Sequence, residues 1–440
     1  MYKHRLGWRP AAAAGLVLML AACGEKAKVD LARQIGSNPV LPKAQDFLVP
    51  PMQVPDGVGW KGSAKPQVAP GLQIEKIASN LQHPRQVLVL PNQDVLVVEA
   101  NGPGEEAVTT PKQVIAGIVK GRSGKAGKGG NRITLLRKKP GSNGEWEQHV
   151  YIEHLHSPFG IQLVGDTLYV ANSGNIMKYR YTPGETRMSD PGTELGDLPS
   201  TVNHHWTKAL LASPDGKRLY VGSGSNSNIT ENGMEVEYRR AAVLEVDAAT
   251  GASRIFASGI RNPTGLGWEP QSGKLWAIAN ERDEIGADLV PDYLTSVREK
   301  GFYGWPYSYW GQHVDHRVKP QRPDLVKIAI KPDYALGAHV AALGLLFYTG
   351  DGLPNYKGGA FVAEHGSWDR SPLSGYQVVW VPFQNGMPNG PAQPVVTGFH
   401  SADEKELYGA PVGMAQDATG ALLIADDVGN VVWRVTRAGI

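Results

Sequence analysis

Along this chain one hairpin pattern recurs about six times: a Pro- or Gly-bearing turn, an apolar strand, a tight polar turn, and a second apolar strand. The units span residues 83–98, 157–171, 205–222, 262–279, 341–364 and 410–426. Their central turns carry residues that tight turns demand, such as Pro91-Asn92, Gly165-Asp166, Ser213-Pro214-Asp215-Gly216 and Gln271-Ser272-Gly273. One or two further strands follow each hairpin, among them 133–137, 176–181, 242–246 and 431–435. Four strands repeating at roughly 40–50 residues or more is the sequence form of a β-propeller, in which each blade buries its faces against its neighbours. A two-sheet sandwich offers no reason for the same hairpin to recur. The expected fold class is all-β, a six-bladed β-propeller with long face loops.

Abundant Gly (53) and Pro (32) suit many short strands joined by turns, and helical heptads are absent. The 44 basic residues fall to 41, against 42 acidic, once Lys3, Arg5 and Arg9 are set aside with a removable leader. Such a balance gives nucleic acid no electrostatic footprint. The leader itself is legible: Lys3, His4, Arg5 and Arg9 precede an apolar run, residues 11–20, too short to span a bilayer comfortably. Leu20-Ala21-Ala22-Cys23 then resembles a bacterial lipoprotein signal, cleaved before Cys23 and acylated on its thiol. Cys23 is the only cysteine, so no intramolecular disulfide competes for it. Gly24 after it resembles the outer-membrane sorting pattern. The expected organisation is a signal peptide over 1–22, an extended tether over 23–70, and the propeller over 71–440, on the periplasmic side of a bacterial membrane.

The richest stretch runs from Arg261 to Trp310. Arg261-Asn262 stand before a Pro-Thr-Gly turn that aims them. The loop of Glu281, Asp283, Glu284 and Asp288 crowds carboxylates where a hard cation such as calcium is held by oxygen. Gly301-Phe302-Tyr303-Gly304-Trp305-Pro306 brings rings beside tight backbone, a surface for stacking a flat ligand. The blandest reading of each piece alone is a strand pair with polar loops and a packed Trp corner. The segment 283–310 reads as an insertion, with a short helix expected within 289–300. The basic loop 121–128 lacks the spacing of a phosphate-binding loop and is expected to be flexible.

Among histidines, His205 lies beside an inner strand expected to begin at Trp206, facing the channel, where an imidazole suits general-base work. A lone histidine is more often a satisfied structural group. His204 is expected on the opposite side of that strand. His313 and His316 have ligand-like spacing but no third ligand, and read as a solvated loop. His365-Gly366-Ser367-Trp368-Asp369-Arg370 sets another histidine and a guanidinium at a loop face. No Gly-x-Ser-x-Gly elbow appears.

Together, Arg261-Asn262-Pro263-x-Gly265, Asn280-Glu281-Arg282-Asp283-Glu284, Tyr303-Gly304-Trp305-Pro306, His205-Trp206 and His365-Gly366-Ser367-Trp368 resemble the soluble-type PQQ-dependent aldose dehydrogenases, particularly their sorbosone dehydrogenase-like branch. The resemblance covers nearly everything after Gly71. It implies a propeller holding pyrroloquinoline quinone (PQQ) and Ca2+ at one face, an aldose or sugar-aldehyde substrate, and a downstream electron acceptor. His205 is then the base that takes the substrate hydroxyl proton. Arg261 and Asn262 contact the quinone oxygens, with Trp305 and His365 beside the cofactor. Asp283 and Glu284, supported by Asp288, make the calcium site. One departure stands out. The branch usually shows Gly-Arg-Pro where this chain has Gly409-Ala410-Pro411, so a cofactor carboxylate loses an arginine; Arg370, Lys208 or Arg132 are the candidates to replace it. A calcium-dependent propeller lactonase and a non-catalytic binding propeller stay open beside this reading.

Overall fold

The computed structural model describes residues 26–45, 53–103, 121–125, 127, 129–142, 144–201 and 204–439. The leader and Cys23 lie outside the described residues. Six four-stranded antiparallel blades form a ring. The first comprises Pro84–Val89, Val95–Glu99, Arg132–Lys138 and Trp146–Ile152. Blade 2 spans Gly160–Val164, Thr167–Ala171, Asn175–Arg180 and Thr193–Asp197. Blade 3 spans Lys208–Ala212, Arg218–Ser223, Ala242–Asp247 and Ser253–Ser258. Blade 4 has Asn262–Trp268, Leu275–Asn280, Pro291–Ser296 and Tyr334–Ala338. Blade 5 has Ala342–Phe347, Ala360–Glu364, Gln377–Val381 and Gln393–Thr397. In blade 6, Pro411–Gln416, Leu422–Asp426 and Val431–Arg437 are completed by Leu72–Ala78 from the start of the domain. That last pairing closes the ring and removes its open edge.

The six recurrent hairpins of the sequence are the first two strands of each blade. Second strands such as Val95–Glu99 and Leu422–Asp426 are buried along their whole length, because a neighbouring blade covers each face. Their continuous apolar runs follow from that double coverage. Six buried apolar clusters fill the seams between consecutive blades. The cluster of Ile77, Val87, Val97, Leu423 and Val432 joins blade 6 to blade 1. Near the axis the inner strands approach too closely for side chains. A Cβ on Gly344 would lie 2.0 Å from the Val412 carbonyl oxygen, so only glycine fits there.

Two expectations within blade 4 are corrected. Residues 289–300 contain the strand Pro291–Ser296, all buried, where a short helix was expected. Tyr293, Leu294 and Thr295 suit a doubly covered strand, and tertiary burial outweighs any local helical pattern. An α-helix instead occupies Pro323–Ile328, within a connection running from this third strand to the fourth at Tyr334. The third strand thus interrupts the expected insertion 283–310, and the long connection runs instead over residues 297–333, past Trp310.

Residues 26–70, as far as described, lie along the propeller. Ile35–Gly36 adds to blade 4, Gln67–Val68 to blade 5, and Asp56–Gly57 runs parallel to Glu406–Leu407. No described helix is long and apolar enough to cross a membrane.

Candidate functional site

In an antiparallel hairpin the start of the first strand and the end of the second share one end. Residues just before each inner strand and just after each second strand therefore converge on one face of the ring. His205, Arg261 and Asn262 belong to the first set; Asn228, Asp283, His365 and Asp427 belong to the second.

His205 precedes the inner strand of blade 3, which begins at Lys208 rather than at Trp206. Its Nδ1 lies 2.9 Å from the Ser225 carbonyl oxygen and 3.0 Å from Ser225 Oγ. The Ser225 hydroxyl donates to the Ser227 carbonyl at 2.6 Å, so its lone pairs face the ring. With two acceptors before it, Nδ1 carries the proton and Nε2 keeps the basic lone pair. Burial, with Arg261 and His204 nearby, holds the imidazole well below its ordinary pKa, so the ring is neutral. The His204 ring stands edge-on to it at 4.6 Å. The strand alternation that was to turn His204 away does not operate in this irregular approach.

His205 and Asn262 flank Gly224. A Cβ there would lie 2.5 Å from the His205 Cβ and 2.3 Å from Asn262 Oδ1. Asn262 Oδ1 is buried without a hydrogen-bond partner among the described residues. Arg261 is held on every side. Its Nη1 donates to Glu281 O (2.6 Å), Nη2 to Asn228 Oδ1 (2.9 Å) and Asp283 Oδ2 (3.3 Å), and Nε to Asn228 O (3.3 Å). The guanidinium thus offers a ligand mainly its charge, since its donors are largely engaged within the protein. Trp305 is buried behind it and donates its indole N–H to Asn228 O at 3.0 Å. Asn228 is the hub of this network, and nothing in its sequence context distinguished it.

The three expected metal ligands separate. Asp283 lies with His339 and Asp369, their ligating atoms all within 4.8 Å of one another. His339 Nε2 approaches the Gly286 carbonyl at 2.9 Å, while Nδ1 lies 3.5 Å from Asp283 and 3.3 Å from Asp369. Burial alone would lower the His339 pKa, but the two carboxylates outweigh it and push it up. Asp369 Oδ1 is buried without a partner among the described residues. Asp288 is elsewhere: the backbone N–H groups of Lys28 and Val29 donate to one of its oxygens, and Gln34 and Arg370 to the other. It anchors the N-terminal arm. Glu284 follows Asp283 with left-handed backbone (φ 75°) and is outside the cluster.

Two candidates for replacing the arginine missing at Ala410 are committed elsewhere. Arg132 pairs with Glu99 at 2.8 Å, and Arg370 with Ala287 O, Pro372 O and Asp288. Lys208 is fully buried, its Nζ 3.2 Å from Trp206 O, and burial beside Arg240 brings its pKa down to about 7. His365 Nε2 donates to Asp427 at 2.9 Å, and burial lowers its pKa to about 4. Asp427 in turn meets Arg85 at 2.7 Å. Arg85, Asp427 and His339 escaped the sequence reading, and Asp369 entered it only as part of the 365–370 stretch, with no role of its own. The one available signal was position: Arg85 lies at the start of the first strand of blade 1, and Asp427 directly follows the second strand of blade 6.

A closed six-bladed propeller with a neutral, tautomerically fixed imidazole among buried cations and carboxylates at its mouth defines a propeller with a site equipped for proton transfer and anion binding. The chain belongs to the TrAA12-like family, whose model matches residues 125–295 and 324–438. It is 23% identical over 327 residues to a pyrroloquinoline quinone-dependent sugar dehydrogenase of Hypocrea jecorina, covering 62% of this chain and 72% of that one. The holo PQQ domain of a Coprinopsis cinerea pyranose dehydrogenase superposes with a TM-score of 0.68 at 20% identity, over 87% of this chain and all of that one. A calcium structure of a Trichoderma reesei family AA12 carbohydrate-active enzyme gives 0.69 at 20%, over 85% and 97%. At such identity the solved structures establish the fold.

Proposed function

We propose that this chain is a PQQ-dependent dehydrogenase of an aldose or sugar aldehyde, sorbosone-like in substrate. In this reading it is lipid-anchored through Cys23 on the periplasmic side, with the outer membrane favoured, and passes its electrons to a downstream acceptor. The observation that carries the reading is the His205 imidazole, fixed with Nε2 unprotonated, set against Asn262 and beside the Arg261 charge.

The residues present fit the cofactor. A planar tricarboxylate quinone needs cations, a polar rim and a divalent ion. Arg261 gives fixed positive charge, Asn262 has an orphaned buried amide oxygen beside the base, and Asp283 with Asp369 provides oxygens for calcium. When bound, the quinone supplies a two-electron acceptor for hydride. His205 Nε2 accepts the hydroxyl proton of the sugar, while Ser225 holds the ring against rotation. The Arg261–Asn228–Trp305 network keeps the loop after the second strand of blade 4 in place. A carbonyl product and one proton on His205 result.

Purified apo-protein, given PQQ and calcium and then sugar, is expected to develop the absorbance of reduced quinone. Binding of PQQ with no sugar-dependent reduction across aldoses and sugar aldehydes would favour a binding propeller instead.

A further inference from the structure

The basic loop that the sequence marks as flexible is fixed where its residues are described, and it delivers Lys125 to the same face as Asp427. Asn101 is the tie. Its Nδ2 donates to Lys125 O at 3.0 Å and to Gly127 O at 2.9 Å, and its Oδ1 accepts from Arg85 Nη2 at 3.2 Å. Ser123 is buried, and a Cβ on Gly57 would strike the backbone of residues 123 and 124 at 2.6 Å.

Around Asp427 the charges do not balance. Arg85 reaches it at 2.7 Å while donating Nε to Ala100 O at 2.9 Å, and its guanidinium lies 5.5 Å from the Trp206 ring, next to the base. The Lys125 ammonium sits over Tyr376, 5.1 Å from the ring centre, and makes only a long 3.5 Å contact to Gly366 O among the described residues. His365 donates a hydrogen bond to Asp427 as a neutral ring. Among the described residues, Arg85 and Lys125 thus bring two positive charges against the single carboxylate of Asp427. Holding an excess cation in a half-buried site is costly unless an anion joins it. Asp427 also donates its backbone N–H to the Ala410 carbonyl at 3.1 Å, so this excess lies where the family's arginine is missing.

We infer that Lys125, steadied by Asn101 and backed by Arg85, is the anion seat that takes a cofactor carboxylate in place of the absent arginine. This rests on the PQQ reading above. Ammonium over an aromatic ring with donors to spare suits a carboxylate oxygen, and a lysine on a loop reaches the site from blade 1 while Ala410 keeps blade 6 closely packed.

The test is equilibrium PQQ binding, with calcium, followed by quenching of tryptophan fluorescence. Lys125→Gln is expected to weaken binding about 10- to 100-fold, the scale of one charged hydrogen bond. Lys125→Arg, which keeps the charge with a different donor geometry, is expected to bind PQQ more tightly than Lys125→Gln. Unfolding temperatures of both variants check that the loop change leaves the fold intact. Equal affinity of Lys125→Gln and the parent overturns the seat alone. Failure of the parent chain to bind PQQ overturns the dehydrogenase reading and the seat with it.

Discussion

The His205 imidazole and Ser225 meet twice: Nδ1 faces both the carbonyl and the hydroxyl oxygen of the same serine, at 2.9 and 3.0 Å. Both atoms accept there, so the ring can hold only one tautomer. That single relationship leaves Nε2 of a histidine on the approach to blade 3 unprotonated and able to accept a proton.

His205→Ala is therefore expected to bind PQQ nearly as the parent does and to lose turnover by about 10²–10⁴-fold. His204→Ala, lacking the Ser225 clamp, keeps most activity. Steady-state rates of both reconstituted variants decide it. Full activity in His205→Ala would move the base to another residue.

Chelation is expected to abolish PQQ binding, and calcium to restore it. Asp283→Asn should weaken that calcium-dependent binding, because Asp283 is the expected ligand that meets His339 and Asp369. Asp288→Asn should leave it intact and instead cost about 2–3 kcal/mol of stability, by disturbing the charge-assisted hydrogen bonds that hold residues 28, 29 and 34. Calcium titrations of PQQ affinity beside urea unfolding separate the two outcomes. Equal calcium dependence in Asp283→Asn and the parent would remove Asp283 from the cation site.

Glu364 ends the second strand of blade 5, buried and receiving a hydrogen bond from Gln377 at 2.9 Å. Burial, reinforced by Asp292, raises its pKa to about 8 from an ordinary 4.5. Between those values the folded chain holds a proton that the unfolded chain has released. Its contribution is thus full below about pH 4.5 and is lost as pH rises through about 8. Glu364→Gln, which cannot ionise, should unfold at a higher temperature than the parent at pH 8 and differ little at pH 5. A gain of the same size at both values would contradict this.

Cys23→Ser should move the protein from the membrane fraction to the soluble periplasmic fraction. Retention of the variant in the membrane with an unmodified N-terminus would mark the segment as a plain anchor.

Arg261 and Asn262 were legible as a polar pair heading an apolar run, but the Pro-Thr-Gly turn expected after them is a bulged part of the strand Asn262–Trp268, because pairing with the second strand outweighs the local turn preference. The cation cluster was half legible. Asp283 stood out among crowded carboxylates, but Asp288 in the same crowd was drawn away by backbone N–H groups from residues 28 and 29. His339 and Asp369 lie in other segments, and no local pattern joins them to Asp283. Residues 289–300 misled for a related reason: burial on both faces, not local preference, made Pro291–Ser296 a strand.

By itself the sequence determined the propeller. Tight-turn residues at a repeated interval and doubly apolar second strands leave each blade in need of two neighbours, and six such units close. The tertiary structure alone decided which polar loop ends meet. Every blade presents equivalent positions to the same face, so the repeat cannot say which of them are partners. Only closure of the ring, by pairing Leu72–Ala78 with Val431–Arg437, sets Arg85 near the start of the domain against Asp427 near its end. The same closure leaves Lys125 beside them, with no second carboxylate among the described residues to match its charge.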